Sequence, residues 1–353
     1  MWWLLVLVVL VLLVLYYTPV VPRVNPKRQL SRYNTQVETR PSKNNYVALA
    51  TVAANIYTLA VPNTVPTPAQ IASWAQLHGL TEPRVLYSTE TILNVTSIRS
   101  QPIGLIGKMI DNPSTALMVF RGSQTTVDWI YNVKFIQSDL RTASSDFPSG
   151  TGITTGYAQL YGRALAIPTA NGCTCASPCV NSKCLTQNKC GQSLFGRYYD
   201  TCTSGTGRSL GDSIKKWVLA HPEVTNYMLT GHSLGGAPAI LAALHLRILG
   251  KTVSSVYTFA SPRVGSPSFV SLYNSYLGSQ TFRFVAVNDP VPSLPLTSTP
   301  LLNTCFQHVG LPFPVEWWSS NATCNLAIVT TQQHRAVIDP SLFELVIQQL
   351  RLL

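Results

Sequence analysis

Acidic side chains are scarce in this sequence. Fourteen Asp and Glu stand against 25 Lys and Arg, giving a net charge of +11 with only 11% of the 353 residues charged. The excess reflects missing acids more than any basic block. A nucleic-acid surface would need a Lys/Arg stripe interleaved with aromatics, and none is present, so nucleic acid is excluded as a partner. Paired metal-ligand motifs are also lacking. The eight cysteines include no C-x-x-C pair, and the cluster Cys173, Cys175, Cys179, Cys184, Cys190 and Cys202 contains no histidine. That spacing favours disulfides over zinc. Cys305 and Cys324 stand alone in the C-terminal third and are expected to pair with each other. No internal repeat is visible, and a 46% apolar content supports a sizeable buried core rather than disorder.

The chain opens instead with a long uncharged run. Trp2 to Val21, at about 1.5 Å per helical residue, would cross a hydrocarbon core about 30 Å thick, with Trp2, Trp3, Tyr16 and Tyr17 at interfacial positions. No A-x-A-like cleavage site follows, so residues 1–21 read as an uncleaved anchor, with a cleaved signal segment as the alternative. Residues 22–45 are polar, basic and proline-bearing, the composition of a linker. Their Arg23, Lys27, Arg28, Arg32, Arg40 and Lys43 suit a juxtamembrane flank. That flank alone predicts a cytoplasmic C-terminal side. The cysteines and the sequons at Asn94 and Asn321 point to an oxidising compartment, and they concern the folded domain itself. The chain is therefore expected in the secretory pathway or at the cell surface, or secreted if residues 1–21 are removed.

The globular domain is expected over 46–353. Tyr46 to Leu59 is helix-like, and apolar strand-like runs follow at Ile103 to Ile110, Ala116 to Phe120, Tyr227 to Thr230, Ser254 to Phe259 and Phe282 to Val287. Helical patterns lie between them, and Ser341 to Leu352 reads as a closing helix. Continuous apolar strands alternating with helices predict an α/β fold, a mostly parallel sheet covered on both faces. Residues 171–208, rich in Cys, Gly, Ser and Asn, read as a stapled insertion.

The chemistry centres on Gly231-His232-Ser233-Leu234-Gly235, placed between the run Val224 to Thr230 and the helical pattern Ala237 to Leu249. A G-x-S-x-G at a strand-to-helix turn holds its serine exposed at the strand end. A serine hydroxyl is a weak nucleophile and needs a base, with a third group to orient that base. In the chain order of this scaffold the acid and then the histidine come later. From Leu234 to Asn288 there is no Asp or Glu at all, so Asp289, just past the strand Phe282 to Val287, is the expected acid. His245 lies 12 residues along the helix leaving the turn, about 18 Å from the serine, too far to serve. His308 and His334 both satisfy the order. The backbone amide of Leu234 is one expected oxyanion donor, and the segment Phe120-Arg121-Gly122-Ser123 is placed to give another.

These residues resemble the fungal-type class 3 lipases of the α/β-hydrolase fold. Thr230 to Gly236 is similar to that family's nucleophile motif, Phe120 to Ser123 to its oxyanion segment, Phe259 to Gly265 to its next strand and loop, and Asn288 to Pro292 to its acid motif. The resemblance spans roughly residues 46 to 350. It implies Ser233 as nucleophile, Asp289 as acid, and Ser123 with Leu234 as oxyanion donors. Gln307 to Gly310 is similar to the family's earlier His-x-Gly, and Gln333-His334-Arg335 to its late D-H-x-x-Y, whose Asp and Tyr are missing here. The base implied is thus His334, with His308 the alternative. A helix over Thr126 to Phe135, with Trp129, Ile130 and Val133 on one face, would be the lid. The activity implied is lipase-type hydrolysis of acylglycerol or related lipid esters at a lipid interface, with no cofactor, no metal and no obligate protein partner. An esterase for non-lipid, feruloyl-type esters and an inactive binding module of the same fold are the rivals.

Overall fold

The computed structural model describes residues 33–61, 64–91, 98–123, 136–162, 209–286, 289–299, 304–315 and 338. Helix α1 (Lys43–Leu59) is capped by Ser42, whose hydroxyl accepts from the Asn45 amide, and α2 (Pro68–Leu77) carries a full Thr67/Gln70 capping box. The chain then enters strands β1 (Leu80–Thr91), β2 (Ile98–Met109) and β3 (Thr115–Phe120). A short ribbon of β4 (Gln137–Asp139) and β5 (Gly152–Thr154) leads into α3 (Thr155–Gly162). After α4 (Leu210–Ala220), the units alternate: β6 (Asn226–His232), α5 (Gly236–Ile248), β7 (Thr252–Phe259), α6 (Pro267–Leu277) and β8 (Thr281–Ala286). A second ribbon, β9 (Ser298–Thr299) with β10 (Thr304–Cys305), precedes β11 (Leu311–Val315).

Seven of these strands form one sheet in the order β1-β2-β3-β6-β7-β8-β11. The β1/β2 and β2/β3 pairs are antiparallel; from β3 onward every pair is parallel. Parallel strands with both faces covered must be apolar on both sides, and β3 shows why its sequence does not alternate. Leu117 and Val119 join one core with Tyr46, Leu49 and Trp74 of α1 and α2, while Met118 and Phe120 join the other with Tyr157, Ile214, Ile240 and Phe269 of α3 to α6. Helix α5 is apolar all round because it is buried almost throughout. On the α1 face, Phe284 stacks against Tyr257, Phe259 and Phe313, with Tyr46 edge-on at 4.7 Å.

The expected strands from Ala116 onward appear with their boundaries moved by one or two residues, the strand expected over Ile103 to Ile110 starts at Ile98 and is antiparallel to both neighbours, and α1 starts three residues before the predicted Tyr46. Strands β1 and β11 were not anticipated, because Pro83, Pro312 and Pro314 disguise them. Both are edge strands, where a missing N–H costs no ladder bond. Residues 33–45, polar enough to read as linker, lie on the domain instead. Glu38 is buried, its amide bonds to the Ser254 carbonyl, and its carboxylate accepts from the Tyr257 hydroxyl at 2.8 Å. Asn226 donates to the Thr35 carbonyl, and the Ser42 amide donates to the same Tyr257 hydroxyl. Polarity here serves buried hydrogen bonds rather than solvation. The expected partner of Cys305, Cys324, lies outside the described residues. Among the described residues no helix is long and apolar enough to cross a membrane; the anchor over 1–21, the insertion over 171–208, both sequons and the closing helix lie outside them.

Replacing Tyr257 by Phe leaves a buried carboxylate at Glu38 without its hydroxyl donor and frees the Ser42 amide. The expected cost is about 1–3 kcal/mol, read as a lowered urea midpoint; an unchanged midpoint would show that residues 33–45 do not brace the domain.

Candidate active site

Strand β6 ends at His232 and the chain reverses through a single turn of 3-10 helix, Ser233–Gly235, into α5. Ser233 sits at the turn with φ 56°, a left-handed conformation that costs a non-glycine residue of order 1 kcal/mol or more. Its neighbours make the turn feasible. A Cβ on Gly231 would lie 2.2 Å from the Gly235 carbonyl oxygen, and one on Gly235 would lie 2.4 Å from the carbonyl of Phe120. The turn therefore folds back on β6 and touches the end of β3 backbone to backbone.

The segment leaving β3 crosses the serine. A Cβ on Gly122 would fall 2.6 Å from the Ser233 Cβ and 2.8 Å from the His232 carbonyl oxygen. Arg121, fully buried, fixes that segment by donating from Nε to the Pro102 carbonyl and from Nη1 to the Gly122 carbonyl, both at 2.8 Å. Tyr57 of α1 fastens the same point from below. Its hydroxyl accepts the Gly122 N–H at 2.8 Å and lies 2.8 Å from Nδ1 of His232, to which its own proton can be donated. No motif around the serine points to Tyr57, which comes from a helix 176 residues earlier. The only trace it leaves in the sequence is its place on an otherwise apolar helical stretch.

Asp289 lies just beyond β8, two strands over from β6 across β7. Both residues are thus at the C-terminal edge of the parallel sheet, where such folds place their sites. Asp289 is buried and accepts the Val291 N–H at 3.0 Å, within a turn that continues as the 3-10 segment Val291–Ser293. Ser123 and Leu234 stand on the two segments that meet at the serine. The lid residues Trp129, Ile130 and Val133, and the candidate base His334, lie outside the described residues. Among the described residues no cluster of His, Cys, Asp and Glu could hold a metal ion.

His308 is placed unlike a base. Its Nε2 is 2.8 Å from the Pro292 carbonyl, an acceptor that requires the proton on Nε2, while Nδ1 is buried without a hydrogen-bond partner among the described residues. Burial, with the positive charges of Arg283 and Arg263 nearby, holds its pKa down to about 3. His245 is committed elsewhere, between the Tyr161 hydroxyl at 3.0 Å and Asp146 at 2.9 Å. A strained serine under a backbone loop, with a buried acid on the same sheet edge, is an arrangement for nucleophilic attack with charge stabilised by amides.

The sequence matches the family described as Lipase (class 3) over residues 117–299, a stretch that holds Ser123, Ser233 and Asp289 but neither His308 nor His334. Among curated proteins, the secreted mono- and diacylglycerol lipase A of Penicillium cyclopium is 44% identical over 124 residues, 35% of this chain and 36% of that protein. A phospholipase A1 of Oryza sativa subsp. indica is 25% identical over 249 residues, 65% of this chain and 51% of its own length. The chain thus spans between a third and a half of these relatives' length. Among solved structures, lipase II from Rhizopus niveus is 22% identical, covering 79% of this chain and 82% of its own, with a TM-score of 0.46.

The two buried histidines make a pH prediction. His78 is held to about pKa 4 and His308 to about 3 by burial, against 6.5 for a free imidazole. Between about 6.5 and those values the unfolded chain binds protons that the folded chain does not, so stability falls as pH is lowered through this window. NMR titration of the imidazoles should show neither residue protonating above about pH 5. A midpoint near 6.5 for His308 would restore it as a candidate base.

Proposed function

The chain belongs to the class 3 lipase family, and from that membership we propose that it is a serine carboxylester hydrolase acting on acylglycerols or related lipid esters. The observation that carries the proposal is the left-handed Ser233 pressed against Gly122 of the β3 exit segment. This contact sets the nucleophile beside the segment expected to bind the oxyanion. His334 takes the proton from Ser233 Oγ as that oxygen attacks the ester carbonyl. The tetrahedral oxyanion is held by the amides of Ser123 and Leu234, and Asp289 orients His334 and stabilises it once protonated. Collapse expels the alcohol with the proton from His334. Water, deprotonated by the same histidine, then attacks the acyl-enzyme and releases the fatty acid.

His334 is supported by what the other histidines are doing. His245 and His308 are the only other histidines after Ser233, and each is bound to a partner that a base could not keep. Tyr57 acts as a positioning residue: holding the Gly122 amide at its hydroxyl sets the path of the chain into Ser123. The relatives add, by their names, acylglycerols and phospholipids as substrate classes and, for the Penicillium protein, secretion. An apolar leader over residues 1–21 is consistent with export, with or without retention at a membrane. Such retention would keep the enzyme at the interface where its substrate resides.

Ser233→Ala and His334→Ala should each lower kcat on a medium-chain ester by about 10⁴-fold or more, with His308→Ala remaining within about tenfold of the parent. Activity surviving in Ser233→Ala would sink the mechanism, and a dead His308→Ala beside an active His334→Ala would move the base. Tyr57→Phe should cost about tenfold in kcat at nearly constant KM, less than losing an oxyanion donor outright; a change confined to KM would assign Tyr57 to substrate binding.

A further inference from the structure

The exit from β7, Phe259 to Gly265, holds none of the groups assigned to the reaction, yet it runs against the turn that carries Asp289. That turn is short. Asp289 donates its amide to the Ala286 carbonyl, its Oδ1 accepts from Val291, and the 3-10 segment Val291–Ser293 follows at once. The last carbonyls of a helical turn have no donors within it and must find them elsewhere. Here one residue supplies a donor to each of three consecutive carbonyls. Arg263 donates its backbone N–H to the Leu294 carbonyl at 2.8 Å, while its Nη1 donates to the Ser293 carbonyl and, at 2.7 Å, to the Pro295 carbonyl.

The clamp is anchored at its other end. The Ala260 amide donates to the Phe284 carbonyl of β8, and the Val264 carbonyl accepts from both the amide and the hydroxyl of Thr154. Ser261 lies so close to the nucleophile turn that a Cβ on Gly236 would fall 2.3 Å from its Oγ. Contact therefore runs unbroken from the turn at Ser233, through Ser261 and Arg263, to residues 293–295 behind the acid. Arg263 is half-buried, and that burial lowers its pKa. A guanidinium suits this place because it stays charged when partly desolvated and its planar fork loses little freedom per hydrogen bond. His308 adds a further hold on the same turn at the Pro292 carbonyl.

We propose that Arg263 is a positioning residue for the reaction: by tying residues 293–295 to the β7 exit it fixes the direction in which Asp289 presents its carboxylate to the base. The assignment rests on the hydrolase reading. Arg263 acts through Asp289 and not on the ester itself.

Arg263→Ala, Asp289→Asn and the double variant, assayed on a medium-chain ester, form the test. Arg263→Ala should lower kcat about ten- to a hundredfold with KM within about twofold. In the Asp289→Asn background the same substitution should change kcat by less than about twofold, because the group it positions is already lost. The acidic midpoint of kcat/KM should fall by about half a unit or more, since a displaced carboxylate stabilises the imidazolium less. Loss of the arginine charge alone would raise it. If Arg263→Ala does not fold, Arg263→Gln, which keeps one amide donor, takes its place in the cycle. An unchanged kcat, equal losses in both backgrounds, a change confined to KM, or an acidic midpoint that rises or stays would overturn the assignment. A parent chain that neither hydrolyses the ester nor is labelled at Ser233 by a fluorophosphonate would defeat the hydrolase reading, and the assignment with it.

Discussion

Three strand ends are pinned together where the chain turns at Ser233, backbone on backbone at Gly231 and Gly235 and backbone on the Ser261 side chain at Gly236. Gly231 lies against Gly235, Gly235 against the carbonyls of Phe120 and Arg121, and Gly236 against Ser261, so β6, β3 and β7 all converge within van der Waals contact of one turn. At Gly231 and Gly235 no side chain can relax the approach, which is why the left-handed φ at Ser233 persists despite its cost. The sheet order follows from the same point: β3 and β7 must flank β6 for their exits to touch the turn. Tyr57 and Arg121 then add hydrogen bonds to a segment whose path the packing has already set.

Much of this was legible in the sequence, for identifiable reasons. Strands buried on both faces give unbroken apolar runs, so β3, β6, β7 and β8 stand out, and the glycines around Ser233 mark a turn that tolerates no Cβ. Scarcity singled out Asp289 as the proposed acid, since no Asp or Glu occurs from Leu234 to Asn288 and Asp289 stands just past the strand expected over Phe282 to Val287. What escaped is equally physical. Prolines hide β1 and β11, which can carry them only because each is an edge. Buried polar chemistry hides residues 33–45, whose Glu38 and Ser42 pair with Tyr257 across more than 200 positions of sequence. Tyr57 was invisible because its partners are an amide and an imidazole brought near it only by the fold.

The shortage of acids shapes how this domain uses its cations. Arg121, Arg263 and Arg283 all spend donors on main-chain carbonyls: Pro102 and Gly122, Ser293 and Pro295, and Val309. The carbonyls of Pro102, Gly122, Ser293 and Pro295 belong to segments at or near the C-terminal edge of the sheet, whereas Val309 precedes β11 at its N-terminal end. Guanidinium groups thereby brace the loops around the site without placing a carboxylate among them. Ion pairs do occur, but far from it, as with Lys215 and Asp146, and Lys108 with Glu223. In the proposed mechanism, Asp289 then meets no competing carboxylate from the stretch Leu234 to Asn288, which contains none.

The same electrostatics decide against a histidine close to the acid in sequence. An imidazole beside Arg283 and Arg263 is held neutral far below physiological pH, and a group with a pKa near 3 takes a proton from serine too reluctantly to serve as its base. Neutrality alone is no obstacle, because a base must begin neutral; the obstacle is that the imidazolium formed during attack would face two guanidinium groups. A base that works here has to reach Asp289 from a direction those arginines do not command. In the proposed mechanism that base is His334, the one histidine that follows His308 in the sequence.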